Sequence, residues 1–368
     1  MIRVAICVYF CFLRMVYALL KLLPQNPRKV LFLSRQSDTP SLDFQLLGKE
    51  FEAQGYVTVS LFRLIKQNLF EFVRKESFGI FRQMYHLATA RYCVTDTYNL
   101  PLSVLRHRPN LKIVQIEHGI ANIKKFGKQV FATGRREQIA RLLRIHAGYS
   151  WVLASTPAIA NFLSEALGYD LAHFRYGLLP RIDALLTDRA TTRREILARY
   201  PRLATAKVIL YVSTFRESGQ QKDFSLLQHI PEEYVVIPNF HPLWQADNAL
   251  PQDDRIVVPT GFTSQQLLSV ADYVVTDYSS FIFEAMALDL PVYFYIPDHE
   301  RYFERPGVNV NVLEEMPSAA FVSPQAFYAA LDQPYDWEAY RRFKTKYLWP
   351  EEIKPDTTKR LVRLILET

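Results

Sequence analysis

The chain has 368 residues, enough for two domains, and its 49% hydrophobic residues suffice for two cores, which excludes a disordered chain. The net charge of +7 favours anionic partners such as a membrane surface or phosphorylated substrates, but the basic residues are scattered and no nucleic-acid-binding motif occurs, which argues against nucleic acid. The three cysteines, Cys7, Cys11 and Cys93, form no disulfide framework or metal-ligand pattern, which is typical of a reducing compartment.

Residues 4–23 are strongly apolar and are interrupted only by Arg14 and Lys21. At helical spacing, Arg3, Arg14 and Lys21 fall on nearly one line with Tyr17 beside them. This pattern predicts a membrane-interface helix over residues 1–24. The alternatives are a helix buried against the protein or a membrane span, whereas a signal peptide is disfavoured because no small-residue cleavage site follows.

From Lys29 onward, strand and helix patterns alternate, which is typical of a doubly wound parallel sheet. Strands are predicted at 30–34, 56–62, 92–94, 113–116, 151–154 and 174–176, and helices at 42–54, 69–87 and 157–167. The sequence Ser155-Thr156-Pro157 is expected to cap the last of these helices and Gly168 to end it. Residues 25–190 are therefore predicted to form a first Rossmann-like domain.

The charged segment 186–206 separates this half from a second one with the same pattern. Its strands are predicted at 208–213, 234–238, 256–258, 273–276 and 292–296, with a helix at 264–270. The second domain is predicted over 205–322, followed by C-terminal helices over 323–368, at 324–331, 337–347 and 356–367. The predicted fold class is α/β, with two Rossmann-like domains that face each other across a cleft.

Two histidines follow predicted strands. His118 stands in VQIEHGI, and His241 stands in IPNFHPLW. Because the pKa of imidazole lies near working pH, His118 can act as a general base, and His241 can donate to a phosphate oxygen. Taken singly, each is better explained by a histidine that closes a turn.

Polar residues also end three other predicted strands. Thr214 and Arg216 follow the strand at 208–213, Arg181 lies in the segment 177–183, and the Asp-Tyr-Ser-Ser sequence 277–280 opens a helix. Since α/β sheets bind anions at the carboxyl ends of their strands, these groups together predict a phosphate site. Solvated loops and an ordinary capped helix are the alternatives.

Common catalytic signatures are missing from the sequence. It contains no G-x-G-x-x-G, no Walker loop, no G-x-S-x-G and no H-E-x-x-H. These absences argue against dehydrogenases, kinases, hydrolases with a G-x-S-x-G motif and zinc proteases. No D-x-D pair stands where a metal-dependent transferase would need one, so neither a metal nor another cofactor is expected.

Five ordered motifs give the sequence a resemblance to a known family. TDYSSFIFEAMALDLPVYFYIPDHERY is similar to the D-Y-S-S signature of CDP-glycerol glycerophosphotransferases, the teichoic acid primases and polymerases. VQIEHGIANIKKFG, GLLPRIDAL, VILYVSTFRES and NFHPL resemble that family's other motifs in the same order. The resemblance implies a GT-B-like enzyme, peripheral on the cytoplasmic face of the membrane, that transfers a polyol phosphate from a CDP-activated donor to a hydroxyl of a lipid-linked or glycan acceptor and releases CMP.

The resemblance also implies roles for individual residues. It makes His118 and His241 catalytic, with His118 deprotonating the acceptor hydroxyl. The implied donor-binding set is Thr214, Arg216, His241, Asp277, Ser279, Ser280 and Glu284, with Glu284 facing the ribose. The implied acceptor- or phosphate-binding set is Gly119, Lys124 and Arg181.

The sequence departs from the family pattern near the acceptor end. Glu117 replaces a Trp before the histidine, Ile120 replaces a Thr, and Ile182 replaces an Asn. Whether Glu117 orients His118 or points away from it stays open. Two rival functions are a GT-B glycosyltransferase that uses a nucleotide sugar and a non-catalytic membrane scaffold with the same fold.

Overall fold

The computed structural model describes residues 2–64, 69–130, 134–213, 224–239, 250–304 and 306–368. Its contacts divide the chain into two compact units. The first unit comprises Met1–His118, Gly127–Arg181 and Asp356–Thr368, and the second unit comprises Gly119–Phe126 and Ile182–Pro355. The chain therefore passes between the units four times, whereas the sequence predicts consecutive domains.

The first unit contains a parallel six-stranded sheet in the order β2-β1-β3-β4-β5-β6. Its strands are β1 (Asn26–Ser34), β2 (Val57–Phe62), β3 (Ala90–Thr95), β4 (Lys112–Gln115), β5 (Trp151–Ala154) and β6 (Phe174–Tyr176). Its helices are α1 (Ile2–Leu20), α2 (Leu42–Ala53), α3 (Leu69–Thr89), α4 (Leu100–Val104), α5 (Arg135–Leu142), α6 (Pro157–Leu167) and α15 (Thr357–Glu367), together with the start of α7 (Arg181–Thr187).

Local sequence explains these elements. Val30, Leu31, Phe32 and Leu33 of β1 are all buried, as expected for a central parallel strand covered on both faces. The Thr156 side chain accepts a hydrogen bond from the backbone N–H of Ile159, and α6 ends where Gly168 adopts the left-handed conformation. The predicted cap and stop of this helix are therefore confirmed.

Helix α1 packs on the first unit through one side. Phe10, Leu13 and Tyr17 on that side are buried, whereas Val8 (64% exposed) and Leu19 (63% exposed) lie on the opposite side. The exposed large apolar residues of this outward face are Val4, Val8, Tyr9, Phe12, Met15 and Leu19, and Leu22 and Leu23 follow the helix. Within the described residues, no helix is long and apolar enough to cross a membrane.

The basic stripe of α1 lies beside its buried side. Arg14 Nε donates to the Val104 carbonyl oxygen (3.2 Å), and Lys21 Nζ donates to the Arg106 carbonyl oxygen (3.0 Å). The cations therefore interact with the body of the unit, and the outward face is apolar. The side chain of Arg3 lies outside the described residues.

The second unit contains a parallel five-stranded sheet in the order β11-β10-β9-β7-β8. Its strands are β7 (Lys207–Val212), β8 (Tyr234–Pro238), β9 (Tyr273–Thr276), β10 (Val292–Tyr295) and β11 (Ala320–Phe321). Its helices, besides most of α7, are α8 (Arg189–Arg199), α9 (Ser264–Leu267), α10 (Ile282–Ala287), α11 (His299–Glu304), α12 (Val312–Glu315), α13 (Pro324–Leu331) and α14 (Trp337–Tyr347). An α/β fold with two parallel sheets, as predicted, is confirmed.

Three predicted elements differ in the structure. The predicted strand at 256–258 is an isolated bridge between Ile256 and Val236, and the helix predicted at 264–270 ends at Leu267. The predicted group of C-terminal helices is divided, because α15 packs against α2 in the first unit while α13 and α14 belong to the second. The buried side of α15, formed by Leu361, Val362 and Ile365, accounts for this placement.

Candidate active site

The second unit has a topological switch point between β7 and β9. The chain leaves β7 toward β8 on one side of the sheet and returns to β9 on the other side. The Thr276 hydroxyl at the end of β9 donates to the Val212 carbonyl oxygen at the end of β7 (2.6 Å), which fixes these two strand ends side by side. In open α/β sheets, ligands bind at such switch points, outside the carboxyl ends of the strands. The Asp-Tyr-Ser-Ser sequence that follows β9 therefore stands at the expected place.

Gly119 and Ser280 meet beside this switch point. A Cβ atom on Gly119 would lie 2.8 Å from Ser280 Oγ and 3.3 Å from Ser280 Cβ. A side chain at position 119 would therefore displace the Ser280 hydroxyl. The two residues belong to different sequence motifs, and the fold of the second unit brings them together.

The residues around Ser280 form a turn before α10. Asp277 is buried, and its Oδ1 accepts from the backbone N–H of Tyr278 (2.6 Å). Ser279 Oγ accepts from the backbone N–H of Phe281 (3.3 Å). The N-cap residue of α10 is Phe281, which has no side-chain cap, so the alternative of an ordinary capped helix does not describe this turn. The half-buried Ser279 and Ser280 hydroxyls belong to the turn instead.

Lys124 is held beside the same turn. It forms an antiparallel bridge with Val308, and its carbonyl oxygen accepts from Asn309 Nδ2 (3.0 Å). Its Nζ lies 5.7 Å from the centroid of the Tyr302 ring, which stacks on Tyr278 with centroids 4.1 Å apart. A cation on this stack lies near the strand-end turn, where it can balance negative charge.

Glu284 is a buried residue of α10. Its Oε2 accepts from Gln265 Nε2 (3.1 Å) of α9. A buried carboxylate that keeps a directional partner can accept hydrogen bonds from a sugar hydroxyl, which is the role that the sequence resemblance implies for it.

In the first unit, Arg181 is paired with Asp43 of α2. Asp43 accepts from the Arg181 backbone N–H and from its Nε, both at 2.8 Å, and also from its Nη2. The Asp43 side chain is 2% exposed and the Arg181 side chain 14%. Arg181 Nη2 also donates to the His118 carbonyl oxygen (3.1 Å). Arg181 therefore positions the backbone at His118, and part of its charge is already balanced by Asp43.

His118 follows β4 beside a buried carboxyl group. Glu117 has a left-handed backbone (φ 56°), and its Oε1 accepts from Gln115 Nε2 (2.8 Å). Its Oε2 lies 3.9 Å from His118 Nδ1, too far for a hydrogen bond. The left-handed turn thus buries the carboxyl group while the imidazole stays 56% exposed.

The surroundings of Glu117 and His118 shift the pKa of both side chains. Burial raises the pKa of Glu117 to about 7. The negative charge of Asp96 raises this pKa further, whereas the hydrogen bond from Gln115 lowers it. Desolvation, and then the Arg181 cation, lower the pKa of His118 from its ordinary value. His118 is therefore neutral at pH 7 and able to accept a proton.

Asp96 and Asp43 are parts of the site that sequence reasoning missed. Asp96 follows β3, is buried, and accepts from the Ser34 hydroxyl (3.0 Å), while burial raises its pKa to about 6. It obeys the same strand-end rule that identified His118, so the sequence contained a signal for it. Asp43 lies in the first turn of α2, where an acid is unremarkable, and gave no such signal.

Three predicted site residues, Thr214, Arg216 and His241, lie outside the described residues. The structure brings together Gly119, Ser280 and the turn at 277–280 in the second unit, and Arg181 with His118 in the first. Among the described residues, no group of three or more His, Cys, Asp or Glu side chains is arranged to hold a metal ion.

Comparison with known proteins identifies relatives over almost the whole chain. Residues 15–367 match the family described as CDP-Glycerol:Poly(glycerophosphate) glycerophosphotransferase. A teichoic acid ribitol-phosphate primase of Bacillus spizizenii is 29% identical over 302 residues, 77% of this chain and 76% of the primase. A teichoic acid glycerol-phosphate primase of Bacillus subtilis is 25% identical over 283 residues, 74% of this chain and 73% of that protein.

The fold is also similar to a solved structure, that of the wall teichoic acid polymerase TagF. The TM-score is 0.72 at 17% sequence identity, and the match covers 99% of this chain and 97% of that one. At this identity the likeness shows the fold. The family match over residues 15–367 shows more: the chain belongs to the CDP-glycerol glycerophosphotransferase family.

Proposed function

We propose that this protein transfers a polyol phosphate, glycerol phosphate or ribitol phosphate, from a CDP-activated donor to a hydroxyl of a lipid-linked or glycan acceptor, in the synthesis of a teichoic acid or capsule-type polymer. The observation that carries the proposal is the family match over residues 15–367. The contact between Gly119 and Ser280 supports it, because two separate family-like motifs meet at a strand-end switch point.

In the proposed reaction the acceptor hydroxyl attacks the phosphorus that bears the polyol. A bond forms between the acceptor oxygen and this phosphorus, and the bond from phosphorus to the bridging oxygen of the pyrophosphate breaks. CMP leaves with that oxygen. The neutral imidazole of His118 takes the proton of the hydroxyl, because its lowered pKa leaves a nitrogen lone pair available at pH 7.

The remaining residues would bind the donor and balance its charge. Hydroxyl groups of Ser279 and Ser280 would donate to pyrophosphate oxygens, the Lys124 cation would offset the charge of the leaving phosphate, and Glu284 would accept from the ribose. Asp277 would hold the turn in shape through its bond to the Tyr278 N–H. Thr214, Arg216 and His241 are proposed for the same donor on their motifs alone.

We also propose that the protein is peripheral on the cytoplasmic face of the membrane. The outward apolar face of α1 supports this, because exposed aliphatic side chains on one side of a helix gain free energy in the acyl layer. Arg14 and Lys21 of the basic stripe bond to carbonyl oxygens of the unit, so the proposal rests on the apolar face.

The direct test is CMP release by the purified protein from CDP-glycerol and CDP-ribitol with a lipid-linked acceptor. We expect His118→Ala and His241→Ala each to lower the rate at least about a hundredfold, the usual contribution of a general base or a charge-stabilising group. Glu351→Gln, an exposed site, is the matched control and should retain the rate. Wild-type rates in both histidine variants would show that the roles are wrong.

A second measurement separates the proposal from its rivals. We expect CDP-glycerol or CDP-ribitol to raise the melting temperature more than UDP-sugars do, since a ligand that binds the native state stabilises it. Greater stabilisation by a UDP-sugar would favour a glycosyltransferase. Absence of stabilisation by any nucleotide would favour a non-catalytic scaffold.

A further inference from the structure

The first unit contains a cavity beside α1. Its volume is about 710 Å³, and it is lined by residues of α1, of the segment that follows α4 and of the turn after α5. Four arginines line it: Arg14, Arg106, Arg108 and Arg144. None of its described lining residues is acidic. A cavity with four guanidinium groups and no lining carboxylate attracts an anion strongly.

One histidine, His107, also lines the cavity, and it is uncharged and structural. His107 Nε2 donates to the Leu102 carbonyl oxygen (2.7 Å), and the Tyr17 hydroxyl donates to His107 Nδ1 (2.8 Å). Burial lowers the pKa of His107 to about 4, so the ring is neutral at pH 7. The positive charge of the cavity therefore belongs to the arginines.

Two of the arginines are fixed by the fold. Arg14 Nε donates to the Val104 carbonyl oxygen, and Arg108 Nη2 donates to the carbonyl oxygens of Lys21 and Leu23 (2.6 Å to Leu23). The Nε of Arg108 is buried and has no hydrogen-bond partner among the described residues. This atom is closed off from solvent, so an anion in the cavity would meet the exposed residues Arg106 and Arg144 first.

The cavity adjoins the outward apolar face of α1. Arg14 lines the cavity, and on the outward face of the same helix Met15, the next residue, and Leu19, five residues on, lie exposed. A ligand that joins a phosphate group to a hydrocarbon chain would therefore meet guanidinium groups and an apolar surface on the same helix.

We propose that this arginine cavity binds the phosphate group of an anionic membrane lipid, with the acyl chains beside the outward face of α1. The proposal deepens, and rests on, the membrane association proposed above. None of the lining residues belongs to the strand-end set assigned to donor or acceptor, so the cavity is a separate binding site.

The test uses the full chain and co-sedimentation with vesicles. One set is phosphatidylcholine, and in the other about one lipid in five is phosphatidylglycerol. The informative variant is Arg106→Gln/Arg144→Gln, because both side chains are exposed. The matched control is Arg28→Gln/Lys49→Gln, which removes the same charge from exposed positions of the same unit outside the lining.

We expect the cavity variant to lose at least about tenfold in affinity for the anionic vesicles, since each cation near such a surface changes the affinity roughly fivefold. The control should lose less than about threefold, and binding to phosphatidylcholine should be equal in all three proteins. Equal losses of affinity in the two double variants would show that overall charge, and not the cavity, determines binding, and would overturn the proposal.

A further arm distinguishes a lipid phosphate from a free phosphate. Inorganic pyrophosphate is titrated by calorimetry into the wild type and into the cavity variant, so that binding at the proposed donor site, which both proteins share, can be subtracted. We expect the binding that is lost in the variant to be weaker than binding to anionic vesicles. If pyrophosphate binds as tightly, and Val8→Ser/Leu19→Ser leaves vesicle affinity unchanged, the ligand is a free anion and the lipid proposal is wrong. Stabilisation by CDP-glycerol should be unchanged in the cavity variant, so failure here differs from failure of the proposed enzyme activity.

Discussion

Gly119 approaches Ser280 so closely that a Cβ atom on Gly119 would lie 2.8 Å from Ser280 Oγ. The backbone of Gly119 is not in the left-handed region, so alanine fits its conformation and the effect of Gly119→Ala should be confined to Ser280. We expect this variant to bind the CDP-activated donor about tenfold more weakly, as for the loss of one hydrogen bond to a charged group. Isothermal titration with CDP-glycerol measures this change.

The matched comparison is Ser280→Ala and the double variant Gly119→Ala/Ser280→Ala. If Gly119→Ala acts by displacing the Ser280 hydroxyl, the double variant should be no weaker than Ser280→Ala, because the two losses are one event. Additive losses would show that Gly119 acts separately from Ser280.

The ion pair between Asp43 and Arg181 should dominate the local stability of the first unit. Asp43→Ala leaves a largely buried guanidinium without its carboxylate, and we expect the free energy of unfolding to fall by about 3–5 kcal/mol. Urea denaturation measures this loss. The control is Glu338→Ala, which breaks the exposed pair with Arg342 and should cost less than about 1 kcal/mol. Similar losses in both variants would contradict a special role for the buried pair.

The raised pKa of Glu117 predicts a pH-dependent stability difference. The folded state holds the Glu117 proton up to a pKa of about 7, whereas the ordinary pKa of the side chain is 4.5. This group therefore contributes stability at low pH and loses it as pH rises toward 7. Glu117→Gln keeps an acceptor oxygen for Gln115 and cannot ionise. Between pH 5 and pH 8, the free energy of unfolding of the variant should therefore rise by about 2–3 kcal/mol relative to that of the wild type.

The variant is compared with the wild type at each pH because other groups titrate in the same range. Burial lowers the pKa of His86 and His146 to about 4. These two histidines therefore increase the stability as pH rises, whereas Glu117 decreases it. The difference between the two proteins cancels these contributions. An identical pH dependence for Glu117→Gln and wild type would mean that Glu117 is already ionised at pH 5.

The outward face of α1 should bind membranes without supporting the fold. We expect Val8→Ser/Leu19→Ser to weaken sedimentation with phosphatidylcholine vesicles about tenfold, since apolar surface contributes about 25 cal/mol per Å². The melting temperature should stay within about 2 °C of wild type. Leu13→Ser, on the buried side, should instead destabilise the protein by at least about 2 kcal/mol. Unchanged sedimentation of the double variant would refute the membrane role of this face.

The sequence predicts elements best where apolar runs have clear ends. Strands β5, β6, β8 and β9 have their predicted bounds, because turn residues or charges flank each of these short segments. The run at 256–258 has the same composition but forms only one bridge with Val236. Whether such a run joins a sheet depends on free neighbouring strand positions, which composition does not encode.

The site was predictable where chain-local rules apply and unpredictable where tertiary contacts decide. His118 and the turn at 277–280 follow from their places after strands, and the family resemblance assigns their chemistry. The approach of Gly119 to Ser280 joins residues far apart in the chain, and the pair of Asp43 with Arg181 joins two helix starts. No periodicity in the sequence relates such partners. Periodicity also does not reveal the partners of the basic stripe of α1, because Arg14 and Lys21 donate to carbonyl oxygens of residues far along the chain.

The position of α15 has a consequence for how the protein is made. Trp151 Nε1 donates to Thr368 Oγ1 (2.8 Å), and the Thr357 hydroxyl donates to the Leu179 carbonyl oxygen (3.3 Å), so residues 356–368 complete a unit that begins at the other end of the chain. On the ribosome, residues 182–355 emerge before that helix does. Until the helix emerges, the first unit is incomplete and the surface of α2 that α15 covers is exposed. A nascent chain stalled or cleaved after residue 355 would thus carry a finished second unit beside an unfinished first one, exposing apolar surface that chaperones and proteases recognise.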